Sequence, residues 1–217
     1  MDVIRPDWPV KGAQALVTVA AMGDMATDAG RANLRALVPA EPRWMHQVHG
    51  ARVIDADSTH ALVQADASVA RRRGTVCVVK IADCMPVLFA DEAGAAVGAA
   101  HAGWRGLAGG VLEATIDAMG VAPAGLHAWM GPAIGPRVYE VGDEVRAAFV
   151  GYESAFQPTR PGHWLMDLYA IARTRLQKKG VNRVYGGGFC TFSERERFFS
   201  YRRDRGEKRM AAAIWLA

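Results

Sequence analysis

Two short apolar runs joined by a turn constrain the fold of this chain more than any other stretch. The run 77–81 (CVVKI) lies just before Cys84, and the run 95–100 (AAVGAA) lies just before His101. Each run is typical of a buried strand, and the segment 91–94 (DEAG) between them is a turn signal, so a hairpin is predicted. Paired strands with this turn at their middle would place Cys84 and His101 at the same end of a sheet.

The side chains of Cys84 and His101 predict reactive chemistry at that end. A thiolate and an imidazole side by side form either part of a metal site or a nucleophile with its base. A third ligand would favour the metal, and the segment 45–50 (MHQVHG) offers two histidines. The residues alone leave both interpretations open.

Five sequence blocks, taken in order, resemble the YfiH family. Its members were first called laccase-domain or polyphenol oxidase proteins and are now described as purine nucleoside phosphorylases. The blocks are QVHG (47–50), IADCMPVLFAD (81–91), AAHAGWRG (99–106), GPAIGPRVYEVG (131–142) and CTFSERERFFSYRRD (190–204). The resemblance extends from about residue 40 to the end of the chain.

The resemblance implies a zinc-dependent purine nucleoside phosphorylase that acts on a purine nucleoside and phosphate. Adenosine deamination and methylthioadenosine cleavage are implied as related activities. His49, Cys84 and His101 fall at the family's metal-ligand positions, and a thiolate with two imidazoles suits zinc. Copper is disfavoured, because six scattered histidines cannot build the several copper sites of a multicopper oxidase.

Further residues are assigned around those ligands. Arg105 is placed with the three ligands among the catalytic residues. Arg105, Arg202 and Arg203 are candidate phosphate partners, because a guanidinium binds phosphate through two parallel hydrogen bonds. Gln47 and Asp83 are assigned to substrate binding, and Asp83 could instead orient a ligand or cap the following turn.

His46 competes with His49 for the ligand role. If residues 44–49 form a strand, alternation puts the two histidines on opposite faces, so only one can join the site. The family resemblance selects His49, which leaves His46 a supporting role.

The chain departs from the family pattern at three places. The family's Arg-x-Gly-Gly-Val-Ser-like loop, expected to help bind the substrate or an anion, is replaced by the segment 20–25 (AAMGDM). A cysteine pair common in the family is replaced by Arg137 and Val138. The family's Thr-Gly-Arg motif corresponds to the segment 206–209 (GEKR), in which only the arginine, Arg209, is retained. Cys190 matches a family position and is predicted to be a packed thiol or a pocket wall.

Composition and charge narrow the class of protein. A chain of 217 residues with 51% hydrophobic and 22% charged residues predicts one soluble globular domain over 1–217. The N-terminus lacks a signal peptide and no run could span a bilayer, so a cytoplasmic protein is expected. Three cysteines without a CxxC pair argue against a disulfide framework or a ribbon-type zinc site.

The net charge of +4 is concentrated in the segment 194–209, which holds seven basic and four acidic residues. This segment is either an anion site or a solvated run whose charges compensate one another. Nucleic acid is the poorer partner, since the acids are interleaved and no nucleic-acid-binding motif is present. The oligomeric state is left open between a monomer and a small homo-oligomer.

The remaining patterns predict an α+β fold, a single domain of mixed β-sheets flanked by helices. The segment 60–73 is ambiguous and is predicted to end as a short helix at 71–74. Helices are predicted over 24–38, 107–119, 143–150 and 167–179, and strands over 15–20, 44–49, 52–54, 126–130 and 211–216.

Two interpretations compete with the phosphorylase. In one, Cys84 is the nucleophile and His101 the base of a hydrolase acting on peptides or cell-wall precursors. In the other, the missing Arg-x-Gly-Gly loop marks a protein that binds nucleosides or a protein partner without turnover. A cysteine hydrolase needs no metal, so the metal content distinguishes it from a zinc enzyme. A binding protein releases no free base, so base release distinguishes it from a phosphorylase.

Overall fold

Residues 3–217, the part of the chain that the computed structural model describes, form thirteen strands and six α-helices. The strands are β1 (Val3–Ile4), β2 (Ala13–Thr18), β3 (Val53–Asp55), β4 (Ala67–Ala70), β5 (Cys77–Ile81), β6 (Met85–Asp91), β7 (Val97–Ala102), β8 (Leu126–Met130), β9 (Glu140–Gly142), β10 (Phe156–Arg160), β11 (His163–Met166), β12 (Arg183–Gly186) and β13 (Met210–Leu216). The α-helices are α1 (Asp28–Arg35), α2 (Trp104–Ala108), α3 (Val111–Met119), α4 (Asp143–Ala147), α5 (Leu168–Lys178) and α6 (Tyr201–Asp204). Within residues 3–217, no helix is both long and apolar enough to span a membrane.

A six-stranded mixed sheet, in the order β12-β8-β6-β7-β4-β3, forms the centre of the fold. Its middle strands β6 and β7 form a hairpin, with Met85 opposite Ala102 and Pro86 opposite His101. Gly94 in the connecting turn has a φ of 73°, which a glycine adopts without strain. The predicted turn, the second strand and the placement of Cys84 and His101 at one end of the hairpin are therefore confirmed. The first strand was predicted wrongly: it is β6, which follows Cys84, whereas the run 77–81 forms β5 and pairs with β13 in the four-stranded sheet.

Each face of the six-stranded sheet packs on a separate hydrophobic core. Because strand residues alternate between faces, Leu88 in β6 joins one core and its neighbours Val87 and Phe89 join the other. The first core includes residues of the four-stranded sheet, whose order is β1-β2-β13-β5. The second core includes helices α3 and α5, through residues such as Leu112 and Leu176. The predicted α+β class with mixed sheets is confirmed.

Two helices begin at side-chain caps. Thr27 accepts a hydrogen bond from the Gly30 amide at the start of α1, and Asp167 accepts one from the Ala170 amide at the start of α5. The predicted helix over 107–119 is instead two helices, α2 and α3. The chain breaks between them at Gly110, whose φ of 86° is outside the helical range.

Two predictions near the site were wrong. Residues 44–49 form no strand: His46 makes a single bridge to Gln64, and His49 has a left-handed φ of 61°. The alternation argument that separated His46 from His49 therefore fails. The segment 60–73 contains strand β4, which pairs with β3 on one side and β7 on the other, and residues 71–74 form no helix.

A third sheet, in the order β10-β11-β9, was missing from the sequence-based prediction. Four of the five residues of β10 are exposed, so the strand lacks the apolar alternation that reveals a half-buried strand.

Candidate metal centre

Three separate segments bring His49, Cys84 and His101 together. His49 lies in the loop before β3, Cys84 immediately precedes β6, and His101 lies near the end of β7. Their ligand atoms all lie within 4.8 Å of one another, and the two imidazole rings are 4.9 Å apart between centroids. Because Pro86 is paired with His101, the hairpin register places Cys84 beside this histidine.

One buried carboxylate, Asp66, organises two of these three residues. It accepts hydrogen bonds from the amides of Val48, His49 and Gly50, at 3.1, 2.9 and 2.7 Å. Its Oδ1 also lies 2.8 Å from Nδ1 of His101. Sequence reasoning missed Asp66, although an acid within the apolar stretch around 65–70 is a signal of a buried, fully bonded carboxylate.

Asp66 determines which nitrogen of His101 is free. Burial raises the pKa of Asp66, but the hydrogen bonds from His101, Gly50 and Val48 outweigh it and lower the pKa below its ordinary value. An ionised carboxylate can only accept a hydrogen bond, so Nδ1 of His101 carries the hydrogen. The other nitrogen, Nε2, is then available as a ligand, as in carboxylate–histidine–metal arrangements.

Two backbone features allow the three side chains to approach. A left-handed φ costs a residue other than glycine about 1–3 kcal/mol, and the amide bonds to Asp66 hold His49 in that conformation. Gly103 lies against the cluster: a Cβ atom at this position would be 2.7 Å from Sγ of Cys84 and 3.4 Å from the His49 ring. Any larger residue at 103 would displace a ligand.

Cys84 and His101 stabilise each other's charged forms. Burial opposes ionisation of the thiol, but the charges and hydrogen bonds of His101 and His49 lower the pKa of Cys84 to about 6. Burial likewise opposes protonation of His101, but Cys84 and Asp66 raise the pKa of His101 to about 9. Without a metal, the pair is a thiolate beside an imidazolium.

The donor set fits zinc. A thiolate sulfur and two imidazole nitrogens are three ligands of the kind that catalytic zinc sites use. Within residues 3–217, these three form the only group of three or more His, Cys, Asp or Glu side chains that could hold a metal. Such a group fits one ion and cannot supply the many histidines of a multicopper oxidase.

A cavity of about 660 Å³ opens onto the cluster. This volume is within the usual range for a small-molecule site. Five basic side chains line it: Lys80, Arg105, Arg202, Arg205 and Arg209. Asp83 is the one acid among the lining residues, so the cavity favours an anionic ligand.

The three predicted phosphate partners are placed differently. Arg105 lines the cavity with its guanidinium 4.4 Å above the Trp104 ring. Arg202 also lines it, donating to the Glu140 carbonyl at 2.8 Å. Arg203 lies outside this cavity; its side chain is 9% exposed and donates to three backbone carbonyls, those of residues 191, 192 and 198.

Gln47 and Asp83 line the cavity, but hydrogen bonds within the protein occupy their polar atoms. Gln47 exchanges two hydrogen bonds of 2.8 Å with the backbone of Lys80, which ties the His49 loop to β5. Asp83 accepts from the hydroxyls of Thr191 and Ser200 and from the Arg202 amide, at 2.6, 3.0 and 2.6 Å. Asp83 therefore anchors the segment that carries Arg202.

Sequence reasoning missed several residues of the cavity wall. Among its basic side chains they are Lys80, Arg205 and Arg209, and among its aromatic side chains they are His46, Tyr139 and Tyr201. Tyr201 is 51% exposed and offers an aromatic face. The alternation argument had set His46 aside, and the two tyrosines lie inside family blocks but were given no role there.

The departures from the family pattern lie at and beside this cavity. Asp24, within the segment that replaces the Arg-x-Gly-Gly loop, accepts a hydrogen bond from the Arg209 amide at 2.8 Å. Arg137 is exposed and lies outside the cavity. Cys190 is half-buried, and its sulfur accepts from the Gly135 amide at 3.3 Å, as a packed thiol would.

Known proteins resemble this chain over most of its length. Residues 21–217 match a family described as multi-copper polyphenol oxidoreductase laccase. A purine nucleoside phosphorylase of Pseudomonas aeruginosa is 46% identical over 237 residues, covering 98% of each chain. Purine nucleoside phosphorylase YfiH of Escherichia coli is 49% identical over 183 residues, covering 82% of this chain and 75% of its own. The crystal structure of a Neisseria meningitidis protein, 40% identical, superposes with a TM-score of 0.92 and covers 100% of this chain and 99% of its own.

Proposed function

This chain belongs to the YfiH family of laccase-like proteins, and on that premise we propose that it is a zinc-dependent purine nucleoside phosphorylase. The relatives that carry this enzyme name support the proposal. The observation that carries it is the cavity itself, in which a three-residue metal-ligand cluster faces a ring of basic side chains. A metal-dependent phosphorylase needs both features in one site, because it must bind a metal ion and a phosphate anion together.

In phosphorolysis, an oxygen of phosphate bonds to C1′ of the ribose while the bond from C1′ to the purine breaks. The purine leaves with the bonding electron pair and must be neutralised, and the phosphate must be held in line. Arg105 and Arg202 bind the phosphate in this proposal, since both guanidinium groups line the cavity beside the cluster. Asp83 keeps Arg202 in place through the Arg202 amide.

His49, Cys84 and His101 would hold the zinc ion. Bound there, it would supply a Lewis acid that stabilises negative charge next to the reacting groups. The chain's contribution is to orient the ligands and to favour the thiolate: Asp66 holds His101 by Nδ1, and the neighbouring imidazoles lower the pKa of Cys84. His101 is an imidazolium in the metal-free pair, so its Nε2 would have to lose a proton when the metal binds.

The direct test is incubation of the purified protein with adenosine, with and without phosphate. Adenine, inosine and ribose 1-phosphate are resolved as products. We expect adenine and ribose 1-phosphate to form together and only when phosphate is present. Saturable adenosine binding without any base release would contradict the proposal and support a nucleoside-binding protein instead.

The same assay covers the related activities. Inosine formed without phosphate would report adenosine deamination, and methylthioadenosine supplied as substrate would report cleavage of that nucleoside. We include both in the proposed function as secondary activities of the same cavity. Comparison of adenosine, inosine and guanosine establishes the preferred base.

A second candidate, a cysteine hydrolase, is favoured by one specific observation. A catalytic triad places a nucleophile beside a base and the base beside an orienting acid. The same order of contacts is found here, from Cys84 to His101 to Asp66. Such an enzyme would cleave peptides or cell-wall precursors without metal and lose activity when iodoacetamide alkylates Cys84. The position of His49 beside Cys84 favours the metal, because a triad has no use for a second imidazole there.

A further inference from the structure

Two basic residues of the cavity are Lys80, which lies in β5, and Arg209, which immediately precedes the neighbouring antiparallel strand β13. In the pairing of β5 with β13, Lys80 is opposite Ala211 and Ile81 is opposite Met210. Residues 80 and 209 therefore project from the same face of the sheet, the face opposite to that of Ile81 and Met210. Ile81 and Met210 are buried in the core, whereas Lys80 and Arg209 line the cavity.

Neither residue has a direct acidic partner, although the charge of Asp24 partly offsets the positive charges around Lys80. Across residues 3–217, no carboxylate forms an ion pair with Lys80 or Arg209. The Arg209 guanidinium donates only to the carbonyls of Gly206 and Lys208, at 3.3 and 3.0 Å. Burial lowers the pKa of Lys80, and the charges of Arg31 and Arg209 lower it further. An anion bound here would relieve this repulsion.

This pair has contacts different from those of the arginines assigned to phosphate above. Arg202 lies over the Tyr139 ring, at 5.2 Å from its centroid. Burial raises the pKa of Tyr139, and the charges of Arg202 and Arg105 offset part of the rise, which places both arginines near this ring. The charges that act most strongly on Lys80 are those of Arg31, Arg209 and Asp24. Tyr139 is therefore a neighbour of Arg202 and Arg105, whereas Arg209 is a neighbour of Lys80.

We propose that Lys80 and Arg209 form a second phosphate-binding subsite of the cavity. Two unpaired cations match a phosphate group, which carries a charge of about −1.5 to −2 at pH 7. The proposal rests on the proposed function for the identity of the ligand, which is either inorganic phosphate or a purine nucleoside 5′-monophosphate. Tyr201, 6.0 Å from the Arg209 guanidinium, offers the adjacent aromatic face on which a purine stacks.

The test compares Lys80→Met and Arg209→Met with Lys208→Met, which removes a charge from the same C-terminal segment but lines a different cavity. Binding of adenosine 5′-monophosphate and of inorganic phosphate is measured by calorimetry, and the KM values for phosphate and adenosine by phosphorolysis. Lys80→Arg keeps the charge and serves as the rescue variant. Thermal unfolding of every variant shows whether it is folded.

We expect each charge-removing variant at 80 or 209 to weaken binding about tenfold or more, while Lys208→Met and Lys80→Arg bind like the wild type. If only the binding of adenosine 5′-monophosphate weakens, the subsite binds the phosphate group of a nucleotide. If the KM for phosphate rises, the subsite binds inorganic phosphate. Both outcomes support the subsite. Folded variants that bind both ligands normally would overturn it. A wild type that binds nucleotide through Lys80 but releases no base would overturn the phosphorylase and leave the subsite intact.

Discussion

Asp66 connects the ligand loop to the sheet through a single carboxylate. It holds three consecutive amides around His49 and the Nδ1 atom of His101, so it fixes both the backbone of one proposed ligand and the ring of another. A family resemblance locates the ligands themselves, because they stand inside short recognisable blocks. Asp66 has no such block, and its role depends on the loop around it being folded.

The Asp66→Asn variant should bind zinc about tenfold to a hundredfold more weakly than the wild type. The asparagine amide cannot accept the same four hydrogen bonds, so the His49 loop and the His101 ring lose their fixed orientation. Competition with a fluorescent chelator measures the affinity. Asp57→Asn is the matched control, since Asp57 also accepts backbone amides, those of residues 71 and 72, but takes no part in the cluster. Equal affinities in all three proteins would contradict this role.

The thiolate of Cys84 predicts an unusual pH dependence of alkylation in the metal-free protein. Since the pKa of Cys84 is lowered to about 6, iodoacetamide should react at a constant rate at higher pH and slow only as pH falls through that value. In His101→Gln the decline should begin at higher pH, because the neighbouring positive charge is gone. Mass spectrometry of the Cys84 peptide follows the rate. Burial raises the pKa of Cys77 to about 12, so this thiol should stay unlabelled. Identical pH profiles for the two proteins would count against the pairing with His101.

The hairpin is the element that makes the cluster possible, and it is also the element that the sequence predicts best. The turn at 91–94 and the apolar run before His101 are local signals, so the partnership of Cys84 and His101 follows without a structure even though the run 77–81 belongs to the other sheet. The loop at 44–49 is different. Its alternating residues imitate a strand, but they form a loop that is held by Asp66, Lys80 and Gln64, which are remote in sequence. Local pattern cannot reveal such partners.

The turn after β7 tolerates only glycine at position 103. In Gly103→Ala, the new methyl group would lie 2.7 Å from the Cys84 sulfur, so either the turn or the ligand must move. We expect metal affinity to fall by about tenfold or more, as it does when support of a ligand is lost. Gly188→Ala is the control, because no atom lies within 4 Å of the added Cβ and its φ is not left-handed. Chelator competition on both variants tests this, and unaltered zinc affinity in Gly103→Ala would show that the contact is unimportant.

At the scale of the whole molecule, residues far apart in the chain meet at one cavity. The four-stranded sheet supplies Lys80 from β5, the six-stranded sheet supplies His101, and the C-terminal segment supplies Arg202 and Arg209. The α+β class was predictable from mixed periodicities, whereas the order of strands in the sheets was not. That order depends on long-range pairing, such as β13 lying between β2 and β5, for which the sequence contains no local signal.

The charged segment 194–209 illustrates the same limit. Its composition allowed either an anion site or a self-compensating surface run, and the structure divides its basic residues between ion pairs and the wall of the cavity. Glu194 pairs with Arg197, and Arg203 pairs with Asp204, whereas Arg202, Arg205 and Arg209 line the cavity without an acidic partner among residues 3–217. Which basic side chains line the cavity depends on the path of the backbone, and composition does not contain that information.

We propose that the cluster of His49, Cys84 and His101 holds zinc and that nucleoside phosphorolysis depends on this zinc ion. The most direct measurement determines metal content and phosphate-dependent adenine release in parallel for the wild type, Cys84→Ala and Cys190→Ala. We expect stoichiometric zinc and adenine release in the wild type and in Cys190→Ala, and the loss of both in Cys84→Ala. A Cys84→Ala protein that releases adenine as fast as the wild type, or a metal-free wild type with full activity, would contradict the claim.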